Sequence, residues 1–186
     1  HCRYRTLGAI TNRMSCVSPN LQQVPAVRVE YGKDCRELFE APEGRKLIDT
    51  DAAGLELRVL AHYMNDGRFT REVLEGDVHT ANQQMAGLET RDQAKTFIYA
   101  LLYGAGDSKI GAVVNGSAKD GAQLRARFMA SMPAYKRLSE AVIRKGESVG
   151  KLVGLDGRIL RVRSGHASLN TLIQGSSAVL MKKWFM

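Results

Sequence analysis

Apolar residues recur at intervals of three and four along most of this 186-residue chain, a spacing typical of amphipathic helices. The pattern predicts helices at 54–64, 78–86, 90–104, 106–114, 118–131, 134–148 and from 167 to the end. Coil and extended chain are expected up to about residue 40, followed by a strand at 46–51. Residues 151–155 and 158–162 are expected to form a hairpin that turns at Asp156 and Gly157. The chain is therefore expected to be mainly helical, with a few short strands.

The predicted helix at 90–104 has two distinct faces. Its apolar stripe consists of Ala94, Phe97, Ile98, Leu101 and Leu102. A step of four residues turns a helix by roughly 400°, so a second set forms one polar row: Arg91, Lys95, Tyr99 and Tyr103. Thr90 and Gln93 form a capping box that leaves free N–H groups beside the two cations. Such an arrangement suits phosphate, with the phenols beside a sugar or base. The alternative is a solvated face with half-buried tyrosines.

Carboxylates follow the short apolar run that is predicted to be a strand. Asp51 stands at its end, just before the helix that opens at Gly54. A carboxylate at a strand end is a common ligand for Mg²⁺, which binds through one or two carboxylates together with substrate phosphates. Asp49 would point to the same side of the strand, as a rival ligand or a surface acid. The spacing alone does not choose between the two.

Charge and cysteine content narrow the class of protein. The formal net charge of +8 favours a polyanionic partner such as nucleic acid. The three cysteines, Cys2, Cys16 and Cys35, have no paired or metal-like spacing, which indicates reduced thiols and a cytoplasmic location. No apolar run approaches the length of a membrane span, so no membrane association is expected.

Two ungapped segments carry a family resemblance. Residues 51–58 read Asp-Ala-Ala-Gly-Leu-Glu-Leu-Arg, and residues 91–104 follow the pattern Arg-x3-Lys-x3-Tyr-x3-Tyr-Gly. They resemble the first palm motif and the finger-helix motif of the DNA polymerase I family (family A). Residues 11–25 and 169–175 are similar to that family's segment leading into the palm and to its primer-template helix. The residues within these segments are most similar to those of the replicative polymerases of short-tailed phages.

The resemblance implies template-directed DNA synthesis with two Mg²⁺ ions. Asp51 would hold both ions, with the backbone carbonyl of Ala52 as a further ligand. Arg91 and Lys95 would act in catalysis by clamping the phosphates of the incoming dNTP, and His79 would add a phosphate contact. From the residues alone, His79 also fits a structural role near a helix start.

The resemblance also implies how the sugar is recognised. Glu56 would fill the space of a ribose 2′-hydroxyl and hydrogen-bond the phenol of Tyr103, thereby selecting dNTPs. Tyr99 would face the sugar and give weak discrimination against dideoxynucleotides. For Glu56 the alternative is a surface acid that pairs with Arg58 or Arg68.

Primer-template DNA is the second partner that the resemblance implies. Arg13, Asn170 and Gln174 would donate to minor-groove acceptors that every correct base pair presents at the same places. Arg163 and His166 would contact the DNA backbone. From spacing alone, Asn170 and Gln174 are equally a polar stripe on a packed helix.

The implied fold is α+β and helix-rich, the fingers subdomain plus part of the palm of a right-hand polymerase. Residues 1–58 would form the palm segment and its first motif, 59–150 the fingers helices, and 151–186 the hairpin and primer-template helix that return to the palm. The family's second catalytic aspartate lies in a His-Asp-Glu turn, and none of the nine aspartates follows a His or precedes a Glu. The chain is therefore expected to be an internal fragment that does not polymerise by itself.

Three other functions stay open at this point. A single-subunit RNA polymerase shares the architecture but is expected to leave room for a 2′-hydroxyl at Glu56. A non-catalytic basic module that binds nucleic acid explains the charge but gives Asp51 and the polar row no role. A structural helical protein is the third alternative. A processivity factor, if one binds, is expected outside this chain.

Overall fold

The computed structural model describes residues 2–186, and the chain divides into two compact units, residues 1–53 and 54–186. The first unit contains strands β1 (Arg3–Arg5) and β2 (Ser15–Val17), a 3₁₀ turn (Leu21–Gln23) and helix α1 (Gly32–Glu37). The strands pair antiparallel, with Tyr4 opposite Cys16. Gln22 fastens the 3₁₀ turn to β2, because its side chain accepts from the Cys16 backbone N–H at 2.9 Å and donates to the Met14 carbonyl at 3.2 Å.

The prediction of a strand at 46–51 is wrong, since these residues have no regular structure. A strand is stable only when a neighbour takes its backbone hydrogen bonds. Among residues 2–186, β1 pairs with β2 and the remaining two strands pair with each other, so this segment has no strand partner. Its apolar side chains consequently face solvent, with Leu47 66% and Ile48 87% exposed.

The second unit is built from eight helices and one hairpin. In chain order they are α2 (Leu55–Met64), α3 (Gly67–Leu74), α4 (Val78–Ala86), α5 (Arg91–Leu102), α6 (Asp107–Ala112), α7 (Ala118–Ser131), α8 (Pro133–Val149), β3 (Lys151–Val153), β4 (Ile159–Arg161) and α9 (Ser168–Trp184). All the predicted helices are confirmed, and α4 and α7 begin and end at the predicted residues. Helix α3 was not predicted, because Phe69 is its one fully buried residue and gives little periodic signal.

Helix α5 is fixed by its apolar stripe, all of which is buried. The Phe97 ring packs edge to face with Phe128 on α7 at a centroid distance of 5.2 Å, and Phe128 packs in the same way with Tyr135 on α8 at 5.5 Å. Full burial of a side chain of this size contributes about 1.5–3 kcal/mol. Because one face of α5 is committed to this core, its opposite face is presented outward.

The predicted hairpin is confirmed, with shorter strands than expected. Leu152 and Leu160 are directly opposite each other and pack with Leu172 of α9. Gly157 takes the left-handed backbone that the turn requires, with φ of 82°. Helix α9 is also tied to α2, because the Tyr63 and Ser176 hydroxyls lie 2.8 Å apart. No helix among residues 2–186 has the length and apolar character needed to cross a lipid bilayer.

Candidate functional site

The start of α5 is fixed by the capping box that the sequence predicts. The Thr90 hydroxyl accepts from the Gln93 backbone N–H at 3.2 Å, and the Gln93 side-chain oxygen accepts from the Thr90 backbone N–H at 3.1 Å. The helix therefore begins at Arg91, one residue after the predicted start. This places the positive end of the helix dipole beside the first cation of the polar row.

The four residues Arg91, Lys95, Tyr99 and Tyr103 lie along the outward face of α5, and we call them the α5 row. The two cations are exposed, Tyr99 is half-buried and Tyr103 is 46% exposed. The Tyr99 and Tyr103 rings tilt toward each other with a centroid separation of 6.2 Å. Lys95 forms no ion pair within residues 2–186, so its ammonium group is available to a ligand.

His79 joins this row from the neighbouring helix α4. Its ring centroid lies 6.3 Å from that of Tyr99. Burial lowers the pKa of His79 below its ordinary value, and the positive charges of Arg91 and Lys95 lower it further, against a smaller opposing effect of Asp77. The Nδ1 atom is buried without a hydrogen-bond partner in the described part of the chain. A neutral imidazole at neutral pH follows from these surroundings.

Asp77 is a site residue that the sequence analysis missed. Its Oδ2 atom accepts from Arg91 Nε at 2.6 Å, and its Oδ1 atom accepts from Arg91 Nη2 at 3.1 Å. The hydrogen bonds from Arg91 hold the pKa of this carboxyl far below its usual range. Asp77 is also the N-cap of α4, a role that an aspartate just before a helix signals. Its pairing with a helix that starts 14 residues later has no local signal.

The end of α5 lies against the segment that leads into α9. Gly104 has a φ of 70°, and a side chain there would collide with the carbonyl oxygen of His166. His166 itself is exposed, and its Nε2 atom lies 3.2 Å from the Ser164 hydroxyl. The fold thus brings His166 next to the Tyr103 end of the α5 row, and Gly104 is what permits this approach.

The remaining predicted DNA contacts of the second unit lie on this segment and on α9. Arg163 is exposed after β4, and Asn170 and Gln174 are half-buried one turn apart on α9. The Oδ1 atom of Asn170 is buried without a hydrogen-bond partner within residues 2–186. The two amide side chains therefore share one edge of a helix whose other positions are largely core.

Glu56 is half-buried in the first turn of α2. Within residues 2–186, no hydrogen bond joins its carboxylate to the Tyr103 phenol. Tyr103 therefore does not hold the Glu56 carboxylate in this structure. The predicted exclusion of a ribose 2′-hydroxyl depends only on the volume of the Glu56 side chain.

Asp51, Ala52 and Arg13 belong to the first unit. Asp51 and Arg13 are exposed, and Ala52 is half-buried. No group of three or more His, Cys, Asp or Glu side chains among residues 2–186 is arranged to hold a metal ion. Asp51 and the Ala52 carbonyl are oxygen donors of the type that Mg²⁺ prefers, but they supply only part of its coordination shell. The donor set is therefore compatible with Mg²⁺, which would need further oxygen ligands to complete its shell.

Comparisons with known proteins agree along the whole chain. The model of DNA polymerase family A matches residues 1–186. The DNA-directed DNA polymerases of Escherichia phage T7 and Enterobacteria phage T3 are each 43% identical over 204 residues, covering 96% of this chain and 29% of each polymerase. DNA polymerase I of Geobacillus stearothermophilus is 31% identical over 98% of this chain and 23% of its own length.

A solved structure shows the same fold. The POL domain of Pol1 from M. smegmatis, in complex with DNA primer-template and dNTP, superposes with a TM-score of 0.84 and 24% sequence identity. The superposition covers 98% of this chain and 36% of that one. The α+β, helix-rich fold predicted from the sequence is thereby confirmed. On these matches, the chain belongs to DNA polymerase family A.

Proposed function

We propose that this chain acts in template-directed DNA synthesis, as part of a DNA-directed DNA polymerase. The enzyme would transfer nucleotidyl groups from dNTPs to a primer 3′-hydroxyl in phage DNA replication. The observation that carries this proposal is the α5 row with His79 beside it, in a chain that matches family A over its full length. Primer-template DNA and dNTPs are the proposed partners, and any processivity factor would bind outside this chain. The free cysteines suit the reducing cytoplasm, which we propose as the location.

The α5 row is proposed to bind the triphosphate of the incoming dNTP. Arg91 offers a planar guanidinium that can donate two parallel hydrogen bonds to phosphate, and Lys95 offers a mobile point charge one turn further along. His79, as a neutral imidazole, would donate a hydrogen bond rather than add charge. Cations held in place before the reaction stabilise the charge that develops on the leaving pyrophosphate.

The tyrosines and Glu56 are proposed to recognise the sugar. Tyr99 would place its ring against the deoxyribose, and the Tyr103 ring, 6.2 Å away, would add a second aromatic surface for the nucleotide. Glu56 would occupy the space that a ribose 2′-hydroxyl needs, so that dNTPs are accepted and ribonucleotides are rejected. The Glu56→Ala variant should therefore incorporate ribonucleotides more readily. If a primer-extension assay shows unchanged discrimination between dNTPs and ribonucleotides, Glu56 does not have this role.

Primer-template DNA is proposed to be contacted by five polar and basic side chains. Arg13, Asn170 and Gln174 carry N–H donors that match the minor-groove acceptors common to all base pairs. Arg163 and His166 are exposed beside α9 and would contact phosphates. Such contacts sense correct pairing geometry without reading sequence.

Asp51 and the Ala52 carbonyl are proposed to hold Mg²⁺. When bound, two Mg²⁺ ions supply activation of the primer hydroxyl and neutralisation of the triphosphate. Asp51 is the proposed catalytic carboxylate for this purpose. Its exposure and its lack of an ion pair within residues 2–186 leave its oxygens available.

The test is single-nucleotide incorporation by the natural full-length protein, with primer-template affinity measured in parallel by fluorescence anisotropy. Asp51→Ala should abolish incorporation and leave DNA affinity nearly unchanged. Asp49→Ala changes an acid two residues away that is also exposed, so it is the matched control and should keep activity. Incorporation by the Asp51→Ala variant at the natural rate would refute the proposal. DNA binding without any incorporation by the natural protein would instead favour a non-catalytic module.

A further inference from the structure

One carboxylate connects the two helices that carry the proposed phosphate ligands. Oδ1 of Asp77 accepts from the backbone N–H of His79 at 3.1 Å and from Arg91 Nη2 at 3.1 Å. Oδ2 accepts from Arg91 Nε at 2.6 Å and from the Thr80 hydroxyl at 2.8 Å. Asp77 thus joins the first turn of α4 directly to the side chain that opens the α5 row.

The geometry of the guanidinium shows that this pairing orients Arg91 without blocking it. A guanidinium has five N–H donors and can present two bidentate edges. Asp77 occupies the edge formed by Nε and Nη2, whereas Nη1 makes no hydrogen bond within residues 2–186. The Arg91 side chain remains 51% exposed. The edge that includes Nη1 is therefore held in a fixed orientation and is open to a phosphate.

We propose that Asp77 is a positioning residue for the dNTP triphosphate, which sets Arg91 and His79 in a fixed mutual arrangement. This inference rests on the proposed function of the α5 row. It goes further than helix capping, because an asparagine caps a helix as well as an aspartate does but cannot form the charged bidentate pair. Asp77→Asn therefore separates the two roles within one substitution.

The experiment measures kcat and KM for the correct dNTP with the natural full-length protein on a primer-template. Asp77→Asn should raise KM about tenfold, because an Arg91 guanidinium that Asp77 no longer orients binds the triphosphate less well. The change in kcat should be smaller than the change in KM. Circular dichroism should show an unchanged fold, because the N-cap is kept.

Two matched variants control for loss of a cap carboxylate and for loss of an ion pair. Asp66 caps α3 through the Phe69 backbone N–H at 2.8 Å and forms no ion pair in the described chain. Asp156 pairs with Arg158 at 2.7 Å in the hairpin turn. Asp66→Asn and Asp156→Asn should both leave KM unchanged. A similar rise in KM in either control would overturn the inference.

A double-mutant cycle tests whether Asp77 acts through Arg91. Arg91→Lys keeps the charge but loses the bidentate edge, so it should raise KM by itself. Asp77→Asn should then add little to Arg91→Lys, because the bidentate pair that it removes is already absent. Full additivity of the two effects on KM overturns the inference.

The outcomes also distinguish the inference from the proposed function. If Arg91→Lys and Lys95→Met impair dNTP use but Asp77→Asn does not, the α5 row binds nucleotide and only the role of Asp77 is wrong. If none of the three changes dNTP use, both proposals fail.

Discussion

Lys95→Met removes one positive charge from the middle of the α5 row and leaves the helix intact. Lys95 is exposed and forms no ion pair within residues 2–186, and lysine and methionine have similar helix propensities. Its effect on the free energy of unfolding should therefore stay within about 0.5 kcal/mol. If Lys95 donates to a phosphate whose charge grows in the transition state, kcat/KM should fall by about 10²–10³, or roughly 2.7–4 kcal/mol.

The assay is single-turnover incorporation of one dNTP by the natural full-length protein, with urea unfolding of the 186-residue chain to measure stability. Lys109→Met is the matched control, since Lys109 is also an exposed helix lysine without an ion pair in the described structure. It should leave both measurements unchanged. An incorporation rate for Lys95→Met within about twofold of the natural protein would refute the assigned role, because a solvated lysine behaves in that way.

Three further outcomes are expected. Gly104→Ala should lower the free energy of unfolding by about 1–3 kcal/mol in urea titrations, because alanine is strained in the left-handed backbone and its side chain would collide with His166. A loss below about 0.5 kcal/mol would count against the close approach of Gly104 to His166. NMR titration should give His79 a pKa below 6.5. Because the unfolded chain then binds the imidazole proton more tightly than the folded chain, the contribution of His79 to the free energy of unfolding should fall as the pH drops below about 6.5. A measured pKa at or above 6.5 would contradict the described burial of His79. Tyr99→Phe should reduce incorporation of dideoxynucleotides relative to dNTPs by about tenfold in primer extension, because the phenol hydroxyl is expected to replace the hydrogen bond of the missing 3′-hydroxyl. Equal use of dideoxynucleotides by the variant and the natural protein would exclude that hydrogen bond.

The sequence predicted those elements whose signals are local. Helix α7 has its apolar residues at helical spacing and a capping box formed by Ser117 and Asp120, so its bounds could be read directly. The four-residue spacing of the α5 row likewise required only the geometry of one helix. Helices α1 and α3 were missed because each buries one residue and offers almost no periodic pattern.

What the sequence could not predict depends on contacts between distant elements. The segment 46–51 has the composition of a strand, but whether it becomes one is decided by a pairing partner that local pattern does not reveal. The pairing of Asp77 with Arg91 depends on how α4 packs against α5, and the capping signal of Asp77 gave only half of its contacts. The meeting of Gly104 with His166 has the same origin, because it follows from tertiary packing around α9.

The most direct test of the α5 row as a triphosphate site is a crystal structure of the natural full-length protein with primer-template DNA, a terminated primer and the correct dNTP. The account predicts that phosphate oxygens lie within hydrogen-bond distance of Arg91, Lys95 and His79, with the sugar against Tyr99. A well-ordered dNTP whose triphosphate contacts none of these side chains would contradict it.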